Sequence, residues 1–208
     1  MSHYRLNLHF KEEDLKIINK EHQRVVMVKH TEGKRIIPVT WVCFRPCKEN
    51  TVDWNNTFAL YASTTVMRKG ATINTISDKM AAEGVEYDFI DGCFSSPKML
   101  GTAAKPNTYY VKNTCDDYPA VTLGLAQSVA VNGMSFTNNP TNAVYVPYGQ
   151  QISMTPVESI DVFLQNDITD RMVISHNMRP PIPVVFGDGE SEHSIMYNGM
   201  TGQFCLEV

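Results

Sequence analysis

The residues most informative about the fold are 38–65, PVTWVCFRPCKENTVDWNNTFALYASTT. Residues 39–44 are mainly β-branched, aromatic or thiol-bearing and have no polar face, which is typical of a strand covered on both sides. The polar residues 48–50 predict a break, and residues 58–62 predict a second strand that runs back. This part of the chain therefore predicts two strands separated by a polar connection.

Both tryptophans of the chain fall within these residues, and their expected environments differ. Trp41 lies inside the apolar run, so we expect it in the core. Trp54 lies between Asp53 and Asn55, residue types that are common at loop tips. We therefore expect Trp54 at a loop tip and at least partly in water.

Many other short segments have the alternating or continuously apolar patterns of strands. These segments are 4–10, 25–28, 85–89, 109–111, 121–131, 144–148, 152–154, 160–164, 182–186, 195–197 and 204–208. Asn132-Gly133 is a strong hairpin signal between two of the predicted strands. Such a succession of short strands is typical of a β-sandwich or a closed barrel, and we predict an all-β fold, an antiparallel β-sandwich.

Two segments have helical features. Residues 11–20 begin with acidic and end with basic side chains, which suits the helix dipole, and Leu15 and Ile18 share one face. Residues 77–84 predict one or two helical turns between an N-capping serine and a terminating glycine. One or two short helices cannot supply the crossovers of a parallel α/β fold.

The length of 208 residues fits one large β unit or two small ones. We predict a single β-rich unit, 1–208, with a subdivision into 1–96 and 107–208 as the alternative. The connecting residues 95–107 contain two prolines and a glycine and show little periodicity, which predicts a long loop. A faint similarity between 56–61 and 141–145 is the basis for considering two similar tandem halves.

Composition limits the classes of partner. The net charge is −4 and the basic residues are scattered, so neither nucleic acid nor an anionic membrane is expected. The N-terminal residues lack the apolar core of a signal peptide, and no apolar run reaches the ~20 residues of a transmembrane span. Five cysteines at irregular spacing do not resemble a disulfide framework. These features predict a cytoplasmic protein with reduced thiols, with release by an unconventional route as the alternative.

The cysteine pair Cys43 and Cys47 is the nearest approach to a metal motif. Zinc sites combine this spacing with a second pair of ligands, and the remaining cysteines are single. We therefore predict two ordinary thiols, while a metal site or a bridge between them stays open. No cofactor and no metal are predicted.

Other chemical patterns are weaker. Residues 190–193 combine carboxylates and a histidine, but they follow a turn and fit an exposed hairpin tip better than a metal site. Asp170, Ser175 and His176 are close in sequence, and a strand end explains them equally well. The chain contains no nucleophile elbow and no glycine-rich phosphate motif.

Loops rich in tyrosine and amide side chains remain as candidate binding elements. Aromatic rings stack on sugars or lie at a lipid interface, and amides hydrogen-bond to hydroxyl groups, although such residues also form ordinary turns. The candidate ligand-binding residues are Trp54, Asn55, Tyr109, Tyr110, Asn113, Asn142, Tyr148 and Gln150.

The leading hypothesis is a non-enzymatic recognition module that binds a glycan or a lipid surface and forms a homo-oligomer. It resembles lectins and cytolysins only at the level of general fold type. The first alternative is a structural, self-assembling protein without a small-molecule ligand, suggested by eleven methionines that can form adaptable apolar contacts. The second alternative is a metal-dependent enzyme on a β scaffold.

Overall fold

The computed structural model describes residues 2–174, 182–187 and 189–207. It confirms the predicted fold class, because 58% of the described residues are in strands and 6% are helical, with two curled sheets packed together. In chain order the strands are β1 (His3–His9), β2 (Arg24–Glu32), β3 (Ile37–Pro38), β4 (Val42–Phe44), β5 (Glu49–Asn55), β6 (Ala59–Ser63), β7 (Thr75–Met80), β8 (Val85–Ile90), β9 (Cys93–Phe94), β10 (Lys98–Met99), β11 (Tyr109–Asn113), β12 (Ala120–Val131), β13 (Met134–Pro140), β14 (Asn142–Pro147), β15 (Gln151–Gln165), β16 (Ile182–Val185), β17 (Glu192–Asn198) and β18 (Gln203–Leu206).

The first sheet has the strand order β18-β17-β1-β5-β12-β14-β3, with β6 and β13 also pairing with β12, and β7 pairing with β6. The second sheet has the order β10-β8-β11-β15-β2-β4, with β9 on β8 and β16 on β15. Most pairs are antiparallel, as predicted, but β1 pairs with β17 and β8 pairs with β11 in parallel. A parallel pair cannot be joined by a hairpin, so these pairs connect segments that are not consecutive in the chain.

The predicted N-terminal helix is confirmed as α1, Glu12–Lys20. Acidic residues occupy its first turn and Lys20 its last, and Ile18 is buried in the core with Leu15 packed against it. The second predicted helix is wrong, because residues 75–80 form the edge strand β7. The ladder with β6 supplies backbone hydrogen bonds that a short isolated helix would lack.

The residues around Trp41 form a crossing between the sheets rather than one continuous strand. β3 belongs to the first sheet and β4 to the second, so the chain changes sheet at residues 39–41. Trp41 is fully buried at this crossing, as predicted, and its indole Nε1 donates to the Gln127 carbonyl oxygen at 3.0 Å. The predicted break at 48–50 is wrong in part, because β5 already begins at Glu49.

The placement of Trp54 at a wet loop tip is wrong. Trp54 lies in β5, is 3% exposed, and stacks on Tyr4 with ring centroids 5.7 Å apart. It also makes edge contacts with Trp41 at 5.6 Å and Phe186 at 5.0 Å. Its polar neighbours Asp53 and Asn55 face outward because successive residues of a strand point to opposite faces.

Two main apolar cores lie between the sheets, and two long strands run through both. β12 contributes Val129 to the first core and Leu123 to the second. β15 contributes Ile160 to the first core and Met154 to the second. The subdivision of the chain near residues 96–107 stays a prediction.

Trp54→Ala should destabilise the fold strongly, since it removes a buried indole that contacts three aromatic rings. Truncation of a buried tryptophan typically costs ~3–5 kcal/mol in the free energy of unfolding. Urea denaturation of the purified variant measures this loss. Tyr148→Ala is the matched control, because that ring is 56% exposed and its loss should change stability by less than about 0.5 kcal/mol. Equal urea midpoints for Trp54→Ala and wild type would contradict the placement of Trp54.

Candidate functional site

A polar groove of about 490 Å³ lies on the second sheet, where the turn after β2 meets β11 and the start of β15. Its walls are mainly hydroxyl, amide and ammonium groups. The lining residues are Glu32, Gly33, Lys34, Lys105, Thr108, Tyr110, Gln151, Ile152, Ser153 and Thr155.

The pairing of β11 with β15 sets the lower wall of the groove. Tyr110 lies opposite Ser153 in this antiparallel pair. The Tyr110 hydroxyl oxygen accepts a hydrogen bond from the Lys105 backbone N–H at 2.8 Å, which fixes the loop before β11 over the strand. The hydroxyl groups of Thr108 and Thr155 are 2.9 Å apart and hydrogen-bond to each other. The wall is therefore built on strands and is held by specific hydrogen bonds.

The turn after β2 forms the opposite rim. The β2–β15 ladder ends where Glu32 pairs with Thr155, and the chain then turns through Gly33. A Cβ atom at Gly33 would lie 2.6 Å from the Ser153 carbonyl oxygen, so only glycine lets the turn approach β15 this closely. This close approach places the exposed Lys34 at the rim.

The candidate residues predicted from sequence do not converge on one site. Tyr110 lines the groove, but Tyr109 on the same strand points into the second core, where burial raises the pKa of its hydroxyl to about 12. Trp54 lies in the first core, and Asn55 is exposed beside it at the end of β5. Gln150 is exposed and directly precedes the groove residue Gln151.

The two predicted asparagines are structural. Asn113 is fully buried and donates from Nδ2 to the Val146 carbonyl oxygen at 3.0 Å. Asn142 is 1% exposed, donates from Nδ2 to Thr31 Oγ1 at 2.8 Å, and accepts the Leu125 N–H at 3.0 Å. Both side chains satisfy buried polar groups and do not face solvent.

An exposed tyrosine surface, Tyr118, Tyr145 and Tyr148, lies at the end of the molecule where β14 turns into β15. The Tyr148 backbone N–H donates to the Pro119 carbonyl oxygen at 3.0 Å, so the loop that carries Tyr118 lies beside it. The three rings are 38%, 53% and 56% exposed in chain order. Tyr148 was predicted; Tyr145 was missed, although its position between the buried Val144 and Val146 marks it as outward-facing.

A buried lysine lies between the two cores. The Lys29 side chain is 2% exposed, and its Nζ lies 5.0 Å from the ring centres of both Trp41 and Trp54 and 5.8 Å from Phe58. Such distances are those of cation–π contacts. Burial lowers the pKa of Lys29 to about 8, against the opposing effect of the Glu158 carboxylate.

The polar partners of Lys29 come from two β-bulges. Lys29 Nζ donates to Gln127 Oε1 at 2.8 Å and contacts Glu158 Oε2 at 3.4 Å. The β12–β13 register shifts between Gln127 and Val129, and the β15–β2 register shifts between Val157 and Ile160. Bulges change the direction of nearby side chains, and these two lie at Gln127 and Glu158, the residues that contact the Lys29 ammonium group. The enclosed position of Lys29 identifies it as a structural element.

Among the described residues, no group of three or more His, Cys, Asp or Glu side chains is arranged to bind a metal ion. All five cysteines are free, with Cys43 and Cys115 buried and the others exposed. Burial raises the pKa of the Cys43 thiol to about 11, which makes it unreactive.

His193, from the predicted hairpin tip at residues 190–193, contacts the Val185 carbonyl oxygen at 2.9 Å. Ser175 and His176 lie outside the described residues.

Comparison with known proteins returns no relative: no protein-family model, curated protein or solved structure matches the chain. The fold alone does not indicate lectin or cytolysin function. Within the described residues, no helix has the length and apolarity needed to cross a bilayer.

The lowered pKa of Lys29 gives a pH-dependent stability term. Between about pH 8 and the ordinary lysine value of 10.5, the folded protein has released this proton while the unfolded chain still holds it. Rising pH therefore favours the folded state through Lys29 over this range, and below about pH 8 the term is constant. Lys29→Met lacks this term, so the stability of wild type minus that of the variant should increase from pH 8 to pH 10.

Urea unfolding of both proteins at several pH values measures this difference in the free energy of unfolding. The contributions of titrating tyrosines and cysteines are common to both proteins and cancel in the difference. Lys16→Met, at an exposed position of α1, is the control and should give a constant difference. A Lys29→Met difference that stays constant or falls with pH would contradict a buried, proton-releasing lysine.

Proposed function

We propose that this protein is a non-enzymatic recognition module that binds a glycan in the polar groove. The observation that carries the proposal is a concave site of about 490 Å³ whose strands present a row of hydrogen-bonding groups to solvent. Sites of this volume hold small ligands, and a few fixed polar groups give them orientation and specificity.

The groups in the groove suit a sugar better than an apolar ligand. Ser153 and Thr155 supply hydroxyl groups, and Gln151 supplies an amide with both donor and acceptor capacity, whereas the Thr108 hydroxyl is buried and bonded to Pro106 and Thr155. Tyr110 is only 9% exposed, so it offers an edge rather than an open stacking face. Tyr148 is exposed and precedes the groove residue Gln151 by three positions in the sequence, so we propose its ring as the stacking face.

The lining of the groove also favours a binding site over an active site. The described lining holds a single carboxylate, Glu32, and neither a histidine nor a cysteine. A hydrolase of sugars uses a pair of carboxylates, and a nucleophilic mechanism needs an activated side chain beside a base. The groove offers binding groups without either arrangement.

The tyrosine surface favours a second candidate function, adsorption to a lipid surface. Tyrosine rings are enriched at membrane interfaces because they have an apolar body and a polar tip. Tyr118, Tyr145 and Tyr148 are all exposed at one end of the molecule. Liposome sedimentation with neutral phosphatidylcholine vesicles distinguishes this candidate, since it should need the tyrosines and not the groove.

Self-association and a cytoplasmic location also belong to the proposal. Among the described residues, the edge strand β7 pairs with β6 alone, and it exposes Ile76 and Met80, 48% and 59%, on one face. Exposed apolar edges favour contacts between copies. Static light scattering over a concentration series should show a rising mass, and Ile76→Lys should reduce it. The free thiols fit a reducing compartment.

Ser153→Trp tests the groove directly, because Ser153 is exposed there and an indole would fill the space. On a glycan array, wild type should bind one class of glycan, and Ser153→Trp should weaken that binding by about tenfold or more, a loss of ~1.4 kcal/mol. Ser135→Trp is the matched control, since Ser135 is an exposed strand residue on β13 in the other sheet. Unchanged binding by Ser153→Trp, or no binding of any glycan by wild type, would refute the proposed site.

A further inference from the structure

We infer that the groove selects an acidic glycan, with a sulfate ester or carboxylate group bound between Lys34 and Lys105. This inference rests on the proposed function and specifies its ligand class. The lining carries two ammonium groups and one carboxylate, in a chain whose net charge is −4. The sign of charge in the groove is therefore opposite to that of the whole protein.

The two lysines are not neutralised by the described part of the protein. Lys98 and Arg5, also on the surface, pair with Asp88 and Asp53. None of the ion pairs among the described residues involves Lys34 or Lys105. Their charges are free to meet an anion that enters the groove.

The sheet order places these charges on both sides of one strand. β15 lies between β11 and β2, Lys34 follows the end of β2, and Lys105 precedes β11. The backbone at Lys105 is tied to the Tyr110 hydroxyl, and the turn before Lys34 is fixed by the close approach of Gly33 to Ser153. The Ser153 hydroxyl, at the start of β15 between them, can donate to an anionic oxygen.

A single anionic group on a sugar fits this arrangement better than a charged polymer surface does. Nucleic acids and anionic bilayers are bound by extended basic surfaces that contact many phosphates. Here two lysines face one groove, and Glu32 lies in the same lining and repels a continuous array of negative charge. Shape and charge together therefore favour one sulfate or carboxylate beside neutral hydroxyl groups.

The test is a glycan array that carries each backbone in neutral, sulfated and sialylated forms. Wild type should bind one acidic form about tenfold more tightly than its neutral parent, and this preference should weaken with added salt. The sulfated and sialylated arms identify which anion is bound. Lys34→Gln/Lys105→Gln should remove the preference, measured within this variant as the ratio of binding of the acidic form to binding of its neutral parent.

The matched control is Lys16→Gln/Lys20→Gln, which removes the same charge from exposed positions on α1 and should keep the preference. Equal binding of neutral and acidic forms would overturn the acidic ligand and leave the glycan function standing. A preference that survives in Lys34→Gln/Lys105→Gln would place the anion elsewhere and overturn the assignment. Binding of no glycan in any form would overturn both proposals.

Discussion

The ammonium group of Lys29 is the constraint on which the packing of the two sheets depends. A lone charge in an apolar interior is prohibitively unfavourable, so Lys29 requires Gln127 on one sheet and Glu158 on the other. Both partners lie at register shifts, and the aromatic rings of Trp41 and Trp54 close around the charge. A slip of any of these strands by one residue would remove a partner and leave the charge buried alone.

The same strands carry the groove. β2 holds Lys29 and ends at Glu32 on the groove rim, and β15 presents Ser153 to the groove a few residues before Glu158 reaches Lys29. The buried charge therefore fixes the register of two of the strands that shape the groove. Binding groups on such strands are held more accurately than groups on free loops, which reduces the entropy lost when a ligand binds.

The sequence predicted the parts of the fold that depend on local pattern, such as the hairpin at Asn132-Gly133 and the burial of Trp41. Trp54 was misplaced because its polar neighbours, which face outward from β5, have the composition of a loop tip. Asn142 and Lys29 could not be assigned because their partners Thr31 and Gln127 are 111 and 98 residues away. Burial of a polar side chain becomes evident only when such distant partners are brought together by the fold.

The groove, like the buried side chains, brings together residues that are far apart in the sequence. Its lining comes from three segments, 32–34, 105–110 and 151–155, and no spacing along the chain relates them. The outward-facing Gln151 and Ser153 alternate with Ile152 and Met154, which pack toward the second core. Changes at the outward positions alter the groove surface without changing the core, whereas a side chain at Gly33 would displace the rim itself. The chemistry of the strand face can therefore vary independently of stability, while the shape of the groove depends on one glycine.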